Sequence, residues 1–585
     1  MVRSKDTRQI AVAGVGAVCL SALVACTGMV SGSDNGSPLT PPGSSVGGDG
    51  QIIPAPGSGG AGTVTPFPGA GNGGAGGLAT TQPIDPGTSL IHRLNTSEYN
   101  NTVLDVLGTT LQPGDGNWAS ETAASGFDND AASQFVDAKQ YKLYYDASSA
   151  IAANVFANPA TKAKVVTCAT QDDVACVDGI INATGLKMFR RPLTAGEVTT
   201  YHKVYTDART LGLTHEPALQ QVVTALLASA EFLFRMEFDT DPASAAVHDL
   251  SGYELASRLS YFLWNSAPDD ALLKAAGADL ATTGTLSTQF DRLTTDAKYT
   301  RSTRAFIGQW LGIRKVASHA VKAEFLPDWT PALGSAMAEE AYAYFDEFAK
   351  GTRPWQDFIK ADVNFVDANL AKLYGMTAPA TGTMRVENTT DKRFGFLGMG
   401  AFLALSSYEY RTAPTLRGRW ILLNLLCTPP KEPPPGVPPL DAMPNADAAD
   451  QNVRARLEAH RHNPVCASCH ATLDPYGLAL ENFDAIGKYR DAYKTAPIDA
   501  STITDDGTMF TGLQGMVDVV SKKPTLMTCM ESKMFTYAMG RAPTATDYPY
   551  LANIDKAWQA DTPSLPKLIK GLVLADTFRK RHGGQ

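Results

Sequence analysis

The sequence predicts a mainly α-helical protein, built as several helical subdomains in series behind a disordered tether. Three observations carry this fold class. One helix-start pattern recurs, apolar residues follow it at helical spacing, and few segments alternate with period two or gather β-branched residues. The recurring pattern is a capping box, an N-cap residue three positions before Glu, flanked by apolar residues that staple the entry of the chain. It occurs at Asn95 with Glu98, at Thr194 with Glu197 and at Ser251 with Glu254. The three glutamates are therefore read as caps, not as catalytic carboxylates.

At the N-terminus, Arg3, Lys5 and Arg8 precede an apolar run from Ile10 to Ala25 that is short for a membrane span. Leu23-Val24-Ala25-Cys26 closes the run in the manner of a bacterial lipobox. Residues 1–25 are expected to be a lipoprotein signal peptide, with Cys26 lipidated and the chain thereby anchored to a lipid bilayer. By resemblance to Gram-negative lipoprotein sorting, Thr27 in place of Asp favours the outer membrane of the cell envelope over the inner one. An ordinary secreted protein with an incidental Cys26 is the alternative. Residues 26–86 are dominated by Gly, Pro, Ser, Ala and Thr, and no Lys or Arg occurs between Arg8 and Arg93. Such a segment cannot bury enough apolar surface to offset its ordering entropy. As a flexible coil of roughly 60 residues it spans about 40–45 Å.

The rest of the chain is long enough for two to four domains on a length prior, and 44% hydrophobic residues can fill sizeable cores. Helical spacing follows the caps, as in Tyr99, Val103, Val106 and Leu107, or Leu255, Leu259, Phe262 and Leu263. Further helices are expected over 219–238, 290–311 and 336–350. A net charge of −9 argues against nucleic acid as a partner. No dinucleotide fingerprint follows a strand, and no P-loop or H-E-x-x-H is present, which weighs against nucleotide-dependent and familiar hydrolytic chemistry. From Thr428 to Pro439 proline is dense enough to impose extended polyproline II, expected as a stiff strap between domains or, alternatively, as a recognition ligand. A helix over 445–460 then leads into the most informative stretch of the chain, which a turn at Pro464 and a break at Asp474-Pro475 are expected to confine.

That stretch is Cys466-Ala467-Ser468-Cys469-His470, the covalent attachment sequence of c-type haem. Two thiols three positions apart can each add to one vinyl group of a single porphyrin, and the adjacent imidazole becomes the proximal ligand of the iron. The C-terminal region is therefore expected to be a small cytochrome-c-like α domain with one haem c. Two other chemistries stay open: a small Cys466–Cys469 disulfide or inert pair, and zinc held with His460 and His462 through H-x-H-x₃-C-x₂-C spacing. A distal methionine raises the potential of such a centre. Met509, Met516, Met527, Met530, Met534 and Met539 all lie downstream, and Met509 sits where a Met-bearing loop is expected, though methionines are more often core. An open sixth site instead implies oxidase or peroxidase chemistry.

Beyond these, Cys19 leaves with the signal peptide, and Cys168, Cys176, Cys427 and Cys529 remain. In an oxidising compartment the economical pairing is Cys168 with Cys176 as a local loop and Cys427 with Cys529 as a long-range staple. Other pairings of the four are open. Arg190, Arg191, Arg411, Arg417 and Arg419 can form anionic sites or, more commonly, structural ion-pair anchors; Trp264, Trp310 and Trp420 read as core rather than sugar platforms. Glu481 and Asp484 are the carboxylates that a hydrolase reading would use.

The chain resembles the large exported proteins of planctomycetes and myxobacteria built from consecutive domains of unknown function numbered 1587, 1595, 1592, 1588 and 1585. The first resemblance rests on Arg93-Leu94-Asn95 through Asn100-Asn101 and on Gly126-Phe127-Asp128-Asn129; the second rests on Phe189-Arg190-Arg191-Pro192-Leu193-Thr194. Leu255 through Trp264 and Asp362-Val363-Asn364-Phe365 fit the third, and Arg411-Thr412-Ala413-Pro414 with Arg417-Gly418-Arg419-Trp420 the fourth. His462 through His470, Asp474-Pro475-Tyr476-Gly477, Glu481-Asn482-Phe483-Asp484 and Tyr537-Ala538-Met539-Gly540-Arg541 mark the fifth. The expected boundaries are 87–160, 161–240, 241–380, 381–440 and 441–585. The resemblance implies an extracytoplasmic protein with a cytochrome-c-like last domain and names no substrate or reaction. The expected function is electron transfer or a haem-dependent oxidoreductase step with a redox partner protein. A non-catalytic surface lipoprotein that binds a polymer or a partner is the competing class.

Overall fold

All three capping boxes start helices. Asn95 caps Thr96–Leu107, Thr194 caps Ala195–Thr210 and Ser251 caps Gly252–Trp264, each with both reciprocal hydrogen bonds of the box. The computed structural model describes residues 86–583 other than 88–90, 117, 120, 122–124, 169, 239–240, 242, 388–391, 432–452, 463 and 494–495. The expected signal peptide, Cys26, nearly all of the tether, most of the proline strap and 445–452 of the expected helix lie outside the described residues. No described helix is long and apolar enough to cross a membrane.

Two expected helices are divided. The stretch 219–238 is His215–Leu227, then a one-turn helix Ala230–Leu233 and a strand Phe234–Arg235. Ser229 causes the break, because its hydroxyl accepts from Phe232 N and caps the chain anew. The stretch 290–311 is Thr283–Thr295 and Tyr299–Trp310. Here Asp296 accepts from Lys298 N at 2.8 Å, a local bond that competes with the helix ladder. The stretch 336–350 is the later part of Pro331–Ala349 with Lys350 as its C-cap, and proline sits at the permitted first turn.

Among the described residues, strands form only two-stranded antiparallel pairs. His92–Arg93 pairs with Phe234–Arg235, His248–Asp249 with Lys580–Arg581, Val363–Val366 with Met384–Glu387, and Ser501–Ile503 with Met509–Thr511. The first two are clasps that close remote segments onto each other.

Two apolar cores organise these elements. One gathers Tyr99, Tyr144, Ile181, Leu219 and Phe232 from the first two helical domains. The other draws on residues from Leu250 to Phe578, so the three domains expected after residue 241 share one core, beside which Val453, Leu457 and Leu478 form a small separate cluster. Trp264 and Trp310 are buried in it, with indole N–H groups donating to Leu293 O and Asn424 O, and Trp420 packs against it.

Phe127 leaves the first domain and enters this second core, 5.6 Å from the Phe306 ring and 5.3 Å from that of Tyr537. Asn129 Nδ2 donates to Tyr537 O at 2.7 Å, and Ala131 N donates to Gly540 O at 3.1 Å. Gly126-Phe127-Asp128-Asn129 and Tyr537 to Arg541 are thus two halves of one joint. Gly540 has φ 58°, and a Cβ there would stand 2.6 Å from Asn129 O, so only glycine fits.

Both expected disulfides are present, Cys168–Cys176 with Cα atoms 5.9 Å apart and Cys427–Cys529 with Cα atoms 5.3 Å apart. The second ties the chain just after Pro414–Asn424 to the helix Thr525–Met539.

Candidate functional site

The helix Pro464–Leu478 carries Cys466, Cys469 and His470. Pro464 opens it at the position where a missing N–H costs nothing. The Asp474-Pro475 pair, expected to end the helix, lies inside it. An interior proline costs roughly 3 kcal/mol in an isolated helix, and tertiary packing offsets that cost here. Pro464–Leu478 crosses Pro414–Asn424 so closely that a Cβ on Gly418 would stand 1.8 Å from Leu473 O. A Cβ on Gly477 would stand 1.8 Å from Pro414 O. Glycine at both points lets the two backbones touch, and Leu473, Tyr476 and Leu478 are buried around the crossing.

Arg417, next to Gly418, is fully buried. Its Nη1 donates to Leu480 O at 2.8 Å and Phe483 O at 2.9 Å, and its Nη2 to Asp484 O at 2.7 Å. Burial pulls its pKa below the ordinary arginine value, to about 10, so it stays charged at neutral pH. Arg417 therefore fastens the turn after the motif helix onto the helix before the strap.

The motif itself is differently furnished. Cys466 and Cys469 are free, half-buried and about one turn apart, with Cys469 Sγ 3.9 Å from Lys431 O. His470 Nδ1 lies 3.0 Å from each carboxylate oxygen of Asp474, one turn further along. Asp474 is fully buried and also accepts from Thr415 Oγ1 at 2.8 Å across the helix crossing. A carboxylate accepts only, so Nδ1 carries a proton; in the neutral ring Nε2 then holds the lone pair. His460, on Val453–Arg461, meets the His470 ring edge-on, with centroids 4.8 Å apart and planes at 70°. Burial, then His470, holds the His460 pKa below the ordinary histidine value.

Of the downstream methionines, Met516, Met527, Met530 and Met534 are buried in the second core and Met539 packs against it. Met509 is 78% exposed. Its hairpin leans on the motif helix through Phe510, whose ring lies 6.1 Å from Tyr476, and through Thr472 Oγ1, which donates to Asp505. Strand alternation sets Met509 on the face opposite Phe510, paired with exposed Ile503. No group of three or more His, Cys, Asp or Glu suited to a metal is gathered among the described residues.

The other candidates serve the scaffold. Arg190 donates to the carbonyls of Glu231, Phe232 and Phe234, and Arg191 makes a two-bond pair with Glu197, the capping glutamate. Arg411 donates to Thr412 O and lies over the Tyr408 ring, and Arg419 is likewise engaged. Glu481 accepts from Thr412, Arg490 and Tyr493, while Asp484 accepts from Ile486 N and Lys488 N. Two residues of the site escape sequence reasoning, Asp474 as a partner of His470 and Thr415 as a partner of Asp474. The first leaves a signal, since His and Asp four apart on a helix face each other; the second leaves none.

Five family models match the chain in series. Protein of unknown function (DUF1587) covers 92–157, (DUF1595) 176–237, (DUF1592) 250–376, (DUF1588) 393–493 and (DUF1585) 506–578. The DUF1588 model is named PSCyt3, a cytochrome-like name. Its match takes in both crossing helices, so Cys466 to His470 belong with Arg417 in the fourth domain, not in the fifth where they were expected. The Gly418 and Gly477 contacts give the physical reason, because the motif helix is built onto the helix that precedes the strap. No curated protein and no solved structure matches the chain. With all five matches in order along one polypeptide, the chain belongs to the family of proteins built from domains of unknown function 1587, 1595, 1592, 1588 and 1585.

Proposed function

We propose that the chain is a lipid-anchored, extracytoplasmic c-type haem protein that exchanges electrons with a partner protein. The observation that carries this reading is one helix with two free, half-buried thiols about a turn apart, followed at once by an imidazole whose Nδ1 is already held. These residues fit the group. Each thiol adds across one porphyrin vinyl group; an S–C bond forms, the thiol hydrogen passes to the neighbouring carbon, and no oxidant is consumed. His470 would hold the haem iron through Nε2. Haem held there supplies one-electron chemistry.

The chain's own contribution is to hold the imidazole, through Asp474, and to brace the motif helix against Pro414–Asn424 so that one side of the site is dry. Met509 is the distal candidate by its place in the sequence, an exposed thioether on the strand face turned away from the motif helix. Without a protein ligand in that position the sixth site is open to oxidase or peroxidase chemistry. Free thiols and the absence of a gathered metal cluster among the described residues give the disulfide and zinc readings less support. Two disulfides elsewhere agree with an oxidising compartment. The lipobox at Cys26 and the Thr27 that follows favour the outer membrane.

A haem stain and an absorption spectrum of protein made with haem-maturation machinery test the reading. A c-type spectrum that Cys466→Ala and Cys469→Ala weaken or abolish is expected. A colourless protein moves the assignment to a structural surface lipoprotein. Cys26→Ala should shift the chain from membranes to the soluble fraction, and unchanged membrane association would reject the anchor.

A further inference from the structure

We infer that Asp474 is a positioning residue for the axial imidazole: it fixes His470 in its Nδ1–H form, strengthens Nε2 as a donor and sets a low reduction potential at the site. The inference rests on the haem reading above and concerns a residue that the attachment motif does not contain.

The geometry is specific. Both oxygens of Asp474 stand 3.0 Å from His470 Nδ1, and the carboxylate is fully buried beneath it. Thr415 Oγ1 donates to the same carboxylate at 2.8 Å from the facing helix. The Gly418 and Gly477 contacts hold those two helices at backbone distance, so donor and acceptor cannot drift apart. Among the described residues, no Arg or Lys forms an ion pair with Asp474; its ion-pair partner is His470. Its negative charge is therefore directed at the imidazole.

Three physical consequences follow from that arrangement. A carboxylate behind a ligating histidine sets the ring tautomer and raises the basicity of the ligating nitrogen. The effect is stronger where water is excluded from the carboxylate, because a hydrogen bond in a low-dielectric site is electrostatically stronger. A more basic ligand with a fixed negative charge behind it stabilises ferric iron over ferrous iron, opposite in sign to a distal methionine. His460, packed edge-on against the His470 ring, adds bulk on that side of the imidazole.

The experiment compares haem-loaded wild-type protein with Asp474→Asn and Thr415→Val, both close in shape to the native residues. Midpoint potential and the ferrous iron–histidine stretching frequency are read on each. Asp474→Asn is expected to shift the ferric–ferrous equilibrium at least tenfold toward ferrous, about 59 mV for a one-electron couple, and to lower the stretching frequency. Thr415→Val removes a donor that draws charge from the carboxylate, so it should shift both in the opposite direction by a smaller factor, and Asp474→Glu should recover part of the wild-type values. Haem-bearing variants with unchanged potential and frequency overturn the inference and leave the haem reading standing. Wild-type protein without haem overturns the haem reading, and this inference with it. If Asp474→Asn fails to fold or load, Thr415→Val decides, since an unchanged potential there overturns the inference.

Discussion

Arg417 and His470 stand on two helices that touch, and the fold uses them in opposite ways. Arg417 is wholly buried, and its guanidinium donates to three backbone carbonyls after the motif helix. His470 is partly exposed, with one ring nitrogen held by a buried carboxylate and the other without a partner among the described residues. A buried polar group must find partners inside the protein, and once it has them it fastens the scaffold. A polar group held on one side and open on the other is preorganised for something not yet bound. The difference separates scaffold from site within a single helix crossing, and cysteines follow the same division: Cys427 and Cys529 are bridged, whereas Cys466 and Cys469 are free.

The largest expected effect breaks the scaffold side of that comparison. Cys427→Ser opens a bridge that closes a span of 102 residues and should lower unfolding stability by about 4–5 kcal/mol. Cys466→Ser in haem-free protein should move it by less than about 0.5 kcal/mol. Denaturant unfolding of the two variants side by side checks both. Equal losses would erase the distinction between bridging and site cysteines.

Arg417→Met removes the charge but leaves the carbonyls of Leu480, Phe483 and Asp484 without their donor, together with Glu481, whose carboxylate lies 3.7 Å from Arg417. Removing one partner of a buried charged group costs on the order of 3–5 kcal/mol. A variant as stable as wild type would mean that these carbonyls are hydrated and the crossing is looser than described. Gly477→Ala probes the crossing itself, because its Cβ would fall 1.8 Å from Pro414 O. Overpacking of this kind costs about 1–3 kcal/mol, and the helices must part. The same substitution should therefore disturb the Thr415–Asp474 bond, visible as a shift in the spectrum of haem-loaded protein. A normal melting profile and spectrum would contradict the close approach.

A smaller effect concerns Glu531, a fully buried scaffold carboxyl beside Asp555. Burial, followed by Asp555, raises its pKa from 4.5 to about 10. Between those values the folded chain retains a proton that the unfolded chain releases, so stability falls as pH rises through that window. Glu531→Gln should flatten this fall and leave low-pH stability nearly unchanged. A pH–stability profile with the same slope in both proteins would contradict the burial of a neutral carboxyl.

Local chemistry was legible in the sequence, and long-range packing was not. Each capping box is complete within four residues, so Asn95, Thr194 and Ser251 could be placed as helix starts without any tertiary information. The attachment motif is equally local. The division of 290–311 at Asp296 turns on one side-chain bond that helical periodicity does not register. The expected stop at Asp474-Pro475 failed because a helix 50 residues earlier in the chain supports the proline turn, and the spacing of Gly418 and Gly477 reveals that contact only once the helices are seen to cross. For the same reason the motif was assigned to the wrong domain. Beside Pro475, Asp474 has the sequence signature of a helix stop, and its bond to His470 exists because the helix continues through it.

The central claim is that Cys466 and Cys469 carry haem, and mass spectrometry of the peptide spanning them, from protein isolated from its native host, tests it most directly. A porphyrin adduct bridging both thiols that survives denaturation and acid extraction is expected. A Cys466–Cys469 disulfide, or two free thiols with stoichiometric zinc in the intact protein, would contradict it.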